Sequence, residues 1–312
     1  MLDTLLLLET CDSESLVMLQ NHKLVVFTAD SKDVDRDSVN HIFTKLHFRL
    51  DRFLLGQFPN LKTIVTPTTS IDHIDSSYCK ERNIHIISLR DTQDILENFS
   101  STSEIAAWLM LSISRNAVSA SLDVKSGNWS RNEYIGNTLR GKTVGIVGYG
   151  RLGKQLSRIC SAFGMRIFAN DLLKISDNSV TFVEPLEDLV GKCDFVSLHV
   201  DDREQNRGLI NARLLNHFSP KTILINTSRG FVVNEKDLVS AIRGNRLKGY
   251  GTDVLEGERG DTSEWLTNSP IWNEYQGGNP RVLVLPHIGG AVEENIPTAE
   301  KAVLQLLVER IR

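Results

Sequence analysis

Little in this chain is concentrated in one place. Four cysteines, Cys11, Cys79, Cys160 and Cys193, are scattered through 312 residues without a C-x-x-C pair. That excludes the disulfide framework of a small secreted domain and points to a reducing compartment. The eight histidines form no short-spaced ligand set with cysteines or carboxylates, so no metal centre is expected. His41 and His47, if helical, would fall on different faces. Basic residues number 35 against 39 acidic ones, a net charge of −4, and no long Lys/Arg run occurs. This argues against nucleic acid or an anionic membrane surface as a partner. The apolar run Leu5 to Leu8 follows Asp3, where a signal peptide needs basic residues, and is too short to span a bilayer. A cytoplasmic protein is expected.

What the chain does have is alternation. Hydrophobic residues make up 41% and charged residues 24%, ordinary globular usage, and the length suggests two domains. Short β-rich runs at 24–29, 63–68, 84–88, 142–148, 166–170, 195–200, 222–227, 249–254 and 282–287 are separated by helix-compatible segments. Among these is a long helix over 98–118 with Ser and Thr near its start as caps. Strands alternating with helices predict βαβ units and parallel sheets covered on both faces. Two blocks, 1–101 and 102–289, precede a helical tail. The stretch 259–281 is rich in Gly, Asn and Pro, yet carries Trp265, Trp272 and Tyr275. It reads as an ordered loop packed on the body or on a partner subunit.

"GIVGYGRLGKQL" places Gly148, Gly150 and Gly153 in the G-x-G-x-x-G spacing after one strand and at the start of a helix, and Asp171 ends the next strand. In that context Gly148 permits the tight turn, Gly150 lets the backbone approach a pyrophosphate, and Gly153 lets helix pack on strand. The backbone N–H groups of Arg151 and Leu152 then face the phosphates. The Asp171 carboxylate would accept from a ribose and repel a 2′-phosphate, so NAD is expected rather than NADP.

Three later strand ends carry reactive side chains: Arg229, the trio Asp253, Glu256 and Glu258, and His287 in "LPHIGG". Carboxyl ends of strands are where open α/β sheets bind ligands. An Arg there can hold a carboxylate bidentately, although spacing alone leaves Arg229 equally an ion-pairing surface residue. Each of the three carboxylates, read alone, is an ordinary cap or solvated charge.

In order, "GKTVGIVGYGRLGKQL", "FVSLHV" followed by "RGLIN", "INTSRGFVVNEKDL", "GTDVLEGE" and "LPHIGG" resemble the D-isomer-specific 2-hydroxyacid dehydrogenase family, most densely from about residue 100 to 290. The resemblance implies two doubly wound α/β domains. A Rossmann-type NAD domain, 102–289, would be inserted into a flavodoxin-like substrate domain formed by 1–101 and 290–312, with the active site in the cleft between them. It further implies a homodimer and hydride transfer between NAD and a small (R)-2-hydroxy or 2-keto acid. Arg229 would bind substrate, His287 would be the general acid/base, and Glu258, at the family's "D-V-x-x-x-E" glutamate, would hydrogen-bond His287. Asp253 would lie near the nicotinamide amide, and His199, Val200, Thr227 and Gly289 would line the cofactor cleft.

The sequence departs from the family in places. "TPTTSIDHID" (66–75) stands where many relatives have a Gly-rich carboxylate-binding turn, so Thr68, Thr69 and Ser70 would add hydroxyl donors there. Arg259 follows Glu258 where a proline is usual, and Asn234 replaces an Asp. Glu258 speaks against the family's formate enzymes, which have Gln at that position. Oxidation of phosphite and an NAD-sensing, corepressor-like role both stay open at this level.

Overall fold

The computed structural model describes all residues except Met1, Lys23, Ala29, Lys32, Asp33 and 259–263. The described residues divide into two compact units, one made from 2–99 and 291–312, the other from 100–258 and 264–290.

The first unit is a five-stranded sheet formed by β1 (Asp3–Leu7), β2 (Leu24–Thr28), β3 (Val39–Phe43), β4 (Thr63–Thr66) and β5 (His85–Ser88). The order is β2-β1-β3-β4-β5 and every pairing is parallel. The early leucine run is an interior strand: Leu5 is 0% and Leu7 2% exposed. The C-terminal helix, Asn295–Ile311, closes one face with Val303, Leu304 and Leu307 fully buried. Each such leucine contributes about 2 kcal/mol by leaving water.

Sequence periodicity missed β3, and the helical argument about His41 and His47 does not apply. His41 is buried within that strand, 3.6 Å from Asp3, whereas His47 lies in a bend. A five-residue strand between polar neighbours offers too few residues for a period to show. Sequence spacing also hid one group of potential metal ligands, Cys11, Asp12 and Glu300. Glu300 already accepts the Asp12 amide at 2.7 Å and pairs with the Lys45 ammonium at 2.5 Å. Burial pushes the Cys11 thiol far up, away from the ligating thiolate.

The second unit holds β6 (Thr143–Val147), β7 (Arg166–Asn170), β8 (Thr181–Phe182), β9 (Phe195–Leu198), β10 (Ile223–Asn226), β11 (Gly249–Thr252) and β12 (Val282–Val284). Their order is β12-β11-β10-β9-β6-β7-β8, again all parallel. Strands β6, β9, β10 and β11 are buried at every residue, as a sheet covered on both faces requires. The long helix Ser101–Arg115 packs over β11. It can do so because a Cβ on Gly251 would stand 2.8 Å from Ile113 Cδ1 and 3.3 Å from Leu109 Cβ.

The aromatic stretch is more regular than its composition predicts. Ser269 caps a helix, Pro270–Gln276, with proline in the first turn. Trp265, Trp272 and Tyr275 pack against this unit's own core. No single helix among the described residues is long and apolar enough to cross a membrane.

Candidate active site

In a doubly wound sheet the connections reverse direction at one point, and ligands bind there. In the second unit that point lies between β6 and β9. Gly148, at φ +91°, ends β6, and a side chain on it would stand 2.7 Å from the His199 carbonyl oxygen and 3.0 Å from the Val200 nitrogen. The helix Arg151–Ala162 opens immediately after Gly150. Its first-turn amides, those of Leu152 and Gly153 among them, have no intrahelical acceptor. A Cβ on Gly153 would come within 2.3 Å of the Gly148 carbonyl oxygen, whereas one on Gly150 meets nothing within 4 Å. One glycine serves packing and the other borders open space, the cradle a pyrophosphate needs.

These two glycines make separable predictions. Gly153→Ala should destabilise the ligand-free protein by about 1–3 kcal/mol through overpacking. Gly150→Ala should leave its melting temperature unchanged but weaken NADH binding about tenfold, a loss near 1.4 kcal/mol. Calorimetry with and without NADH checks both.

Asp171 follows β7 and accepts the Tyr149 amide at 2.6 Å and the Leu173 amide at 2.8 Å. The Tyr149 hydroxyl, in turn, donates to Asp177 at 2.9 Å. The carboxylate is thereby fixed beside the glycine turn, where it suits a ribose diol.

Further along the same edge are buried polar atoms without partners among the described residues: His199 Nδ1, Thr227 Oγ1 and Asp253 Oδ1. Such atoms are costly to leave unpaired and point to a ligand. Burial pushes His199 down to about 4, so its ring is neutral, and its Nε2 meets Ser197 Oγ at 2.9 Å. Burial raises the Asp253 carboxyl, against the pull of His287 and of the Gly289 amide, which donates to Asp253 Oδ2 at 2.8 Å. Thr102 Oγ1 donates to the Gly289 carbonyl at 3.1 Å and holds that turn in place. A carboxylate oxygen and a hydroxyl, both buried and without partners among the described residues, suit the amide of a nicotinamide.

His287 follows Pro286 with φ +47°. The other described non-glycine residues with positive φ are Asn83, Asn116 and Asn245; the region is costly for side chains in general, least so for asparagine, aspartate and histidine. The strained turn lets the His287 amide donate to the Asp253 carbonyl at 2.8 Å. It also brings Nδ1 to 2.7 Å from Glu258 Oε1. Partial burial opposes charge on this imidazole, but the Glu258 hydrogen bond and charge, with Asp253 behind, outweigh it and hold its pKa above the ordinary value. Glu256, the neighbouring carboxylate, faces Arg207 at 3.6 Å instead.

Arg229 lies beyond the end of β10, half-buried, its Nη1 donating to the Ser228 carbonyl at 2.5 Å. Asn226 Nδ2 donates to the Arg229 carbonyl at 2.9 Å and fixes the backbone under it. Arg229 lies close enough to His287 to lower its proton affinity slightly.

Thr68, Thr69 and Ser70 belong to the five-stranded unit, beyond the end of β4. Thr68 Oγ1 donates to the Ser70 carbonyl at 2.6 Å, and Arg90 Nε donates to the Thr69 carbonyl at 2.5 Å. No residue of this loop has positive φ, so its hydroxyl-bearing side chains carry no backbone strain. Sequence reasoning passed over Gly230, which lies against the Leu255 and Glu256 backbone, and Glu235, whose carboxylate accepts the Glu256 amide at 3.0 Å. Arg259 lies outside the described residues.

Comparison with known proteins places the chain in a family. The D-isomer specific 2-hydroxyacid dehydrogenase NAD binding domain matches residues 107–289, and the catalytic domain of the same family matches 5–104. A glyoxylate reductase from Thermococcus litoralis is 32% identical over 267 residues, 82% of this chain and 76% of that protein. A hydroxypyruvate reductase from Thermotoga maritima is 28% identical over 96% of this chain and 94% of its own. The fold is shared with a D-lactate dehydrogenase from Aquifex aeolicus solved with NAD and lactic acid, at a TM-score of 0.80, 24% identity, and coverage of 99% and 95%. The chain belongs to the D-isomer specific 2-hydroxyacid dehydrogenase family and is an NAD-dependent oxidoreductase of small 2-hydroxy and 2-keto acids.

Proposed function

We propose that this enzyme reduces a small 2-keto acid of the glyoxylate or hydroxypyruvate type to its (R)-2-hydroxy acid through a His287–Glu258 acid/base pair. The observation that carries the reading is the 2.7 Å contact between His287 Nδ1 and Glu258 Oε1. With Nδ1 held, Nε2 is the nitrogen left to donate a proton to the substrate carbonyl oxygen, and to take it back in the oxidative direction. Arg229 pairs with the substrate carboxylate and stabilises charge on the carbonyl oxygen. Thr68, Thr69 and Ser70 supply further contacts to that carboxylate. Gly148, Gly150, Arg151, Leu152, Gly153 and Asp171 hold the dinucleotide, and His199, Val200, Thr227, Asp253 and Gly289 surround its nicotinamide half. Bound NAD supplies or takes up the hydride. In this reading 102–289 is the cofactor domain, and 1–101 with 290–312 the substrate domain.

The test is NADH consumption with glyoxylate, hydroxypyruvate, pyruvate and 2-oxoglutarate. Turnover on the first two supports the reading. Tight NADH binding without turnover on any of them would sink it in favour of a cofactor sensor.

The homodimer belongs to the same proposal. Trp129 is 86%, Ile135 77% and Leu122 59% exposed, all within one stretch of the NAD-binding unit. Exposed apolar groups so close in sequence suit a covered surface. Light scattering should give twice the chain mass for the native protein and the single mass for Trp129→Asp. A cytoplasmic location is supported by four free cysteines, three of them buried, and cell fractionation tests it.

A further inference from the structure

We propose that Glu235 is a positioning residue that presents Glu258 to His287. Glu235 opens the helix Glu235–Arg243 after its cap Asn234, and is 5% exposed. Its carboxylate accepts the Ser269 hydroxyl at 2.6 Å, the Glu256 amide at 3.0 Å and the Ile271 amide at 3.4 Å. These partners are all neutral. A carboxylate facing water would complement the helix dipole just as well, so the dipole does not account for the burial. The contact peculiar to this side chain is the Glu256 amide, two residues before Glu258.

Apart from the exposed Glu256–Arg207 pair at 3.6 Å and the packing of Gly230 against Leu255, the short turn that bears Glu258 is held by its own bonds. The Glu258 amide donates to the Leu255 carbonyl at 3.4 Å, and the Leu255 amide donates to Glu258 Oε2 at 3.4 Å. Both are long, so an outside tether matters more than usual. Glu235 supplies one from a rigid helix. Without it the turn has freedom to shift, and the other Glu258 oxygen loses its fixed approach to Nδ1. Three charged groups surround the imidazole: Glu258, Asp253 and Arg229. Only the first rides on the tethered turn, so its displacement weakens the interaction that holds the proton.

The inference rests on the His287–Glu258 acid/base reading, and the test separates the two. Glyoxylate reduction by the full-length enzyme is followed across neutral pH for wild type, Glu235→Ala, Glu235→Asp, Glu235→Gln and Ser269→Ala. In parallel, the His287 ring is titrated by NMR with and without NADH. Aspartate keeps the charge but is one methylene too short to reach the Glu256 amide, whereas glutamine retains an acceptor at full length.

The expected result for the Ala and Asp variants is a kcat lower by about ten- to a hundredfold, the scale of a misplaced catalytic group, with KM for NADH unmoved. His287 should then titrate nearer the ordinary imidazole value. Glu235→Gln should restore both readouts. Ser269→Ala, which removes a different contact of the same carboxylate, should lower only the melting temperature. Should Glu235→Ala not fold, the Asp and Gln pair carries the comparison. Unchanged kcat and unchanged His287 titration in Glu235→Asp would overturn the proposal while leaving the acid/base reading intact. An unraised His287 in wild type would show that Glu258 does not hold its proton and would remove this inference, whereas undiminished turnover in His287→Asn would remove the acid/base reading itself.

Discussion

His287→Asn is expected to lower kcat for keto-acid reduction by about a hundred- to ten-thousandfold, the usual range for a general acid, while NADH binding stays as in wild type. Asparagine is the informative replacement because position 287 has φ +47°. Alanine would add backbone strain of about 1–2 kcal/mol and mix a folding effect with the chemical one. Asparagine accepts this conformation, as Asn83, Asn116 and Asn245 already do. The amide of residue 287 still donates to the Asp253 carbonyl, so the Asp253–Gly289 turn keeps its place.

The pH dependence follows from the raised pKa of His287. Reduction needs the imidazolium, so its rate holds below that pKa and falls as pH rises through it. Oxidation needs the neutral ring and behaves in the opposite sense. Glu258→Gln removes the charge that raises the pKa, so the fall in reduction should move to lower pH. In His287→Asn the dependence should vanish. A His287→Asn enzyme that keeps both its rate and its pH profile would remove the histidine from the mechanism. The measurement is steady-state kinetics in both directions, with NADH affinity by fluorescence as the control.

Much of this was legible in the residues because each signal had a local cause. The glycine turn needs three glycines at fixed spacing and a carboxylate one strand later, and β6, β7 and Asp171 satisfy it within thirty residues of sequence. Buried parallel strands announce themselves as short runs dominated by apolar residues, which is why β4, β9 and β10 stand near their expected positions. Short elements and long-range contacts were not legible. β3 is five residues long with an asparagine and a histidine inside it. The helix Pro270–Gln276 sits in a composition that favours turns, and it forms because Ser269 caps it and Trp272 and Tyr275 reach the core. Nothing in the sequence sets Glu235 apart from the chain's other acidic residues. Its burial against Glu256, in a turn, and Ser269, a helix cap, depends on segments that only tertiary packing brings together. Partners 21 and 34 residues away leave no local period.

Gly230→Ala should be nearly as damaging as loss of the histidine, although a glycine has no side chain to offer substrate or cofactor. Its backbone is not in the positive-φ region, so a methyl group meets no conformational objection. The obstacle is steric and comes from one place. A Cβ there would lie 2.0 Å from the Leu255 carbonyl carbon, 2.2 Å from its oxygen and 2.4 Å from the Glu256 nitrogen. All three are backbone atoms, so no side chain can swing aside. Either the segment after Arg229 or the turn bearing Glu258 must move by about an ångström or more. Overpacking of this kind costs about 1–3 kcal/mol of stability, visible as a lower melting temperature. A displacement of about 1 Å in a catalytic group costs roughly a hundredfold in rate. Here one methyl group pushes Arg229 and Glu258 apart. The loss should therefore fall on kcat/KM for the keto acid and spare NADH affinity, since the glycine turn at Gly148–Gly153 lies on other strands. Wild-type activity in Gly230→Ala would show that the close approach of the Leu255–Glu258 turn to Arg229 is not needed for turnover, and that the two groups act without being held in register.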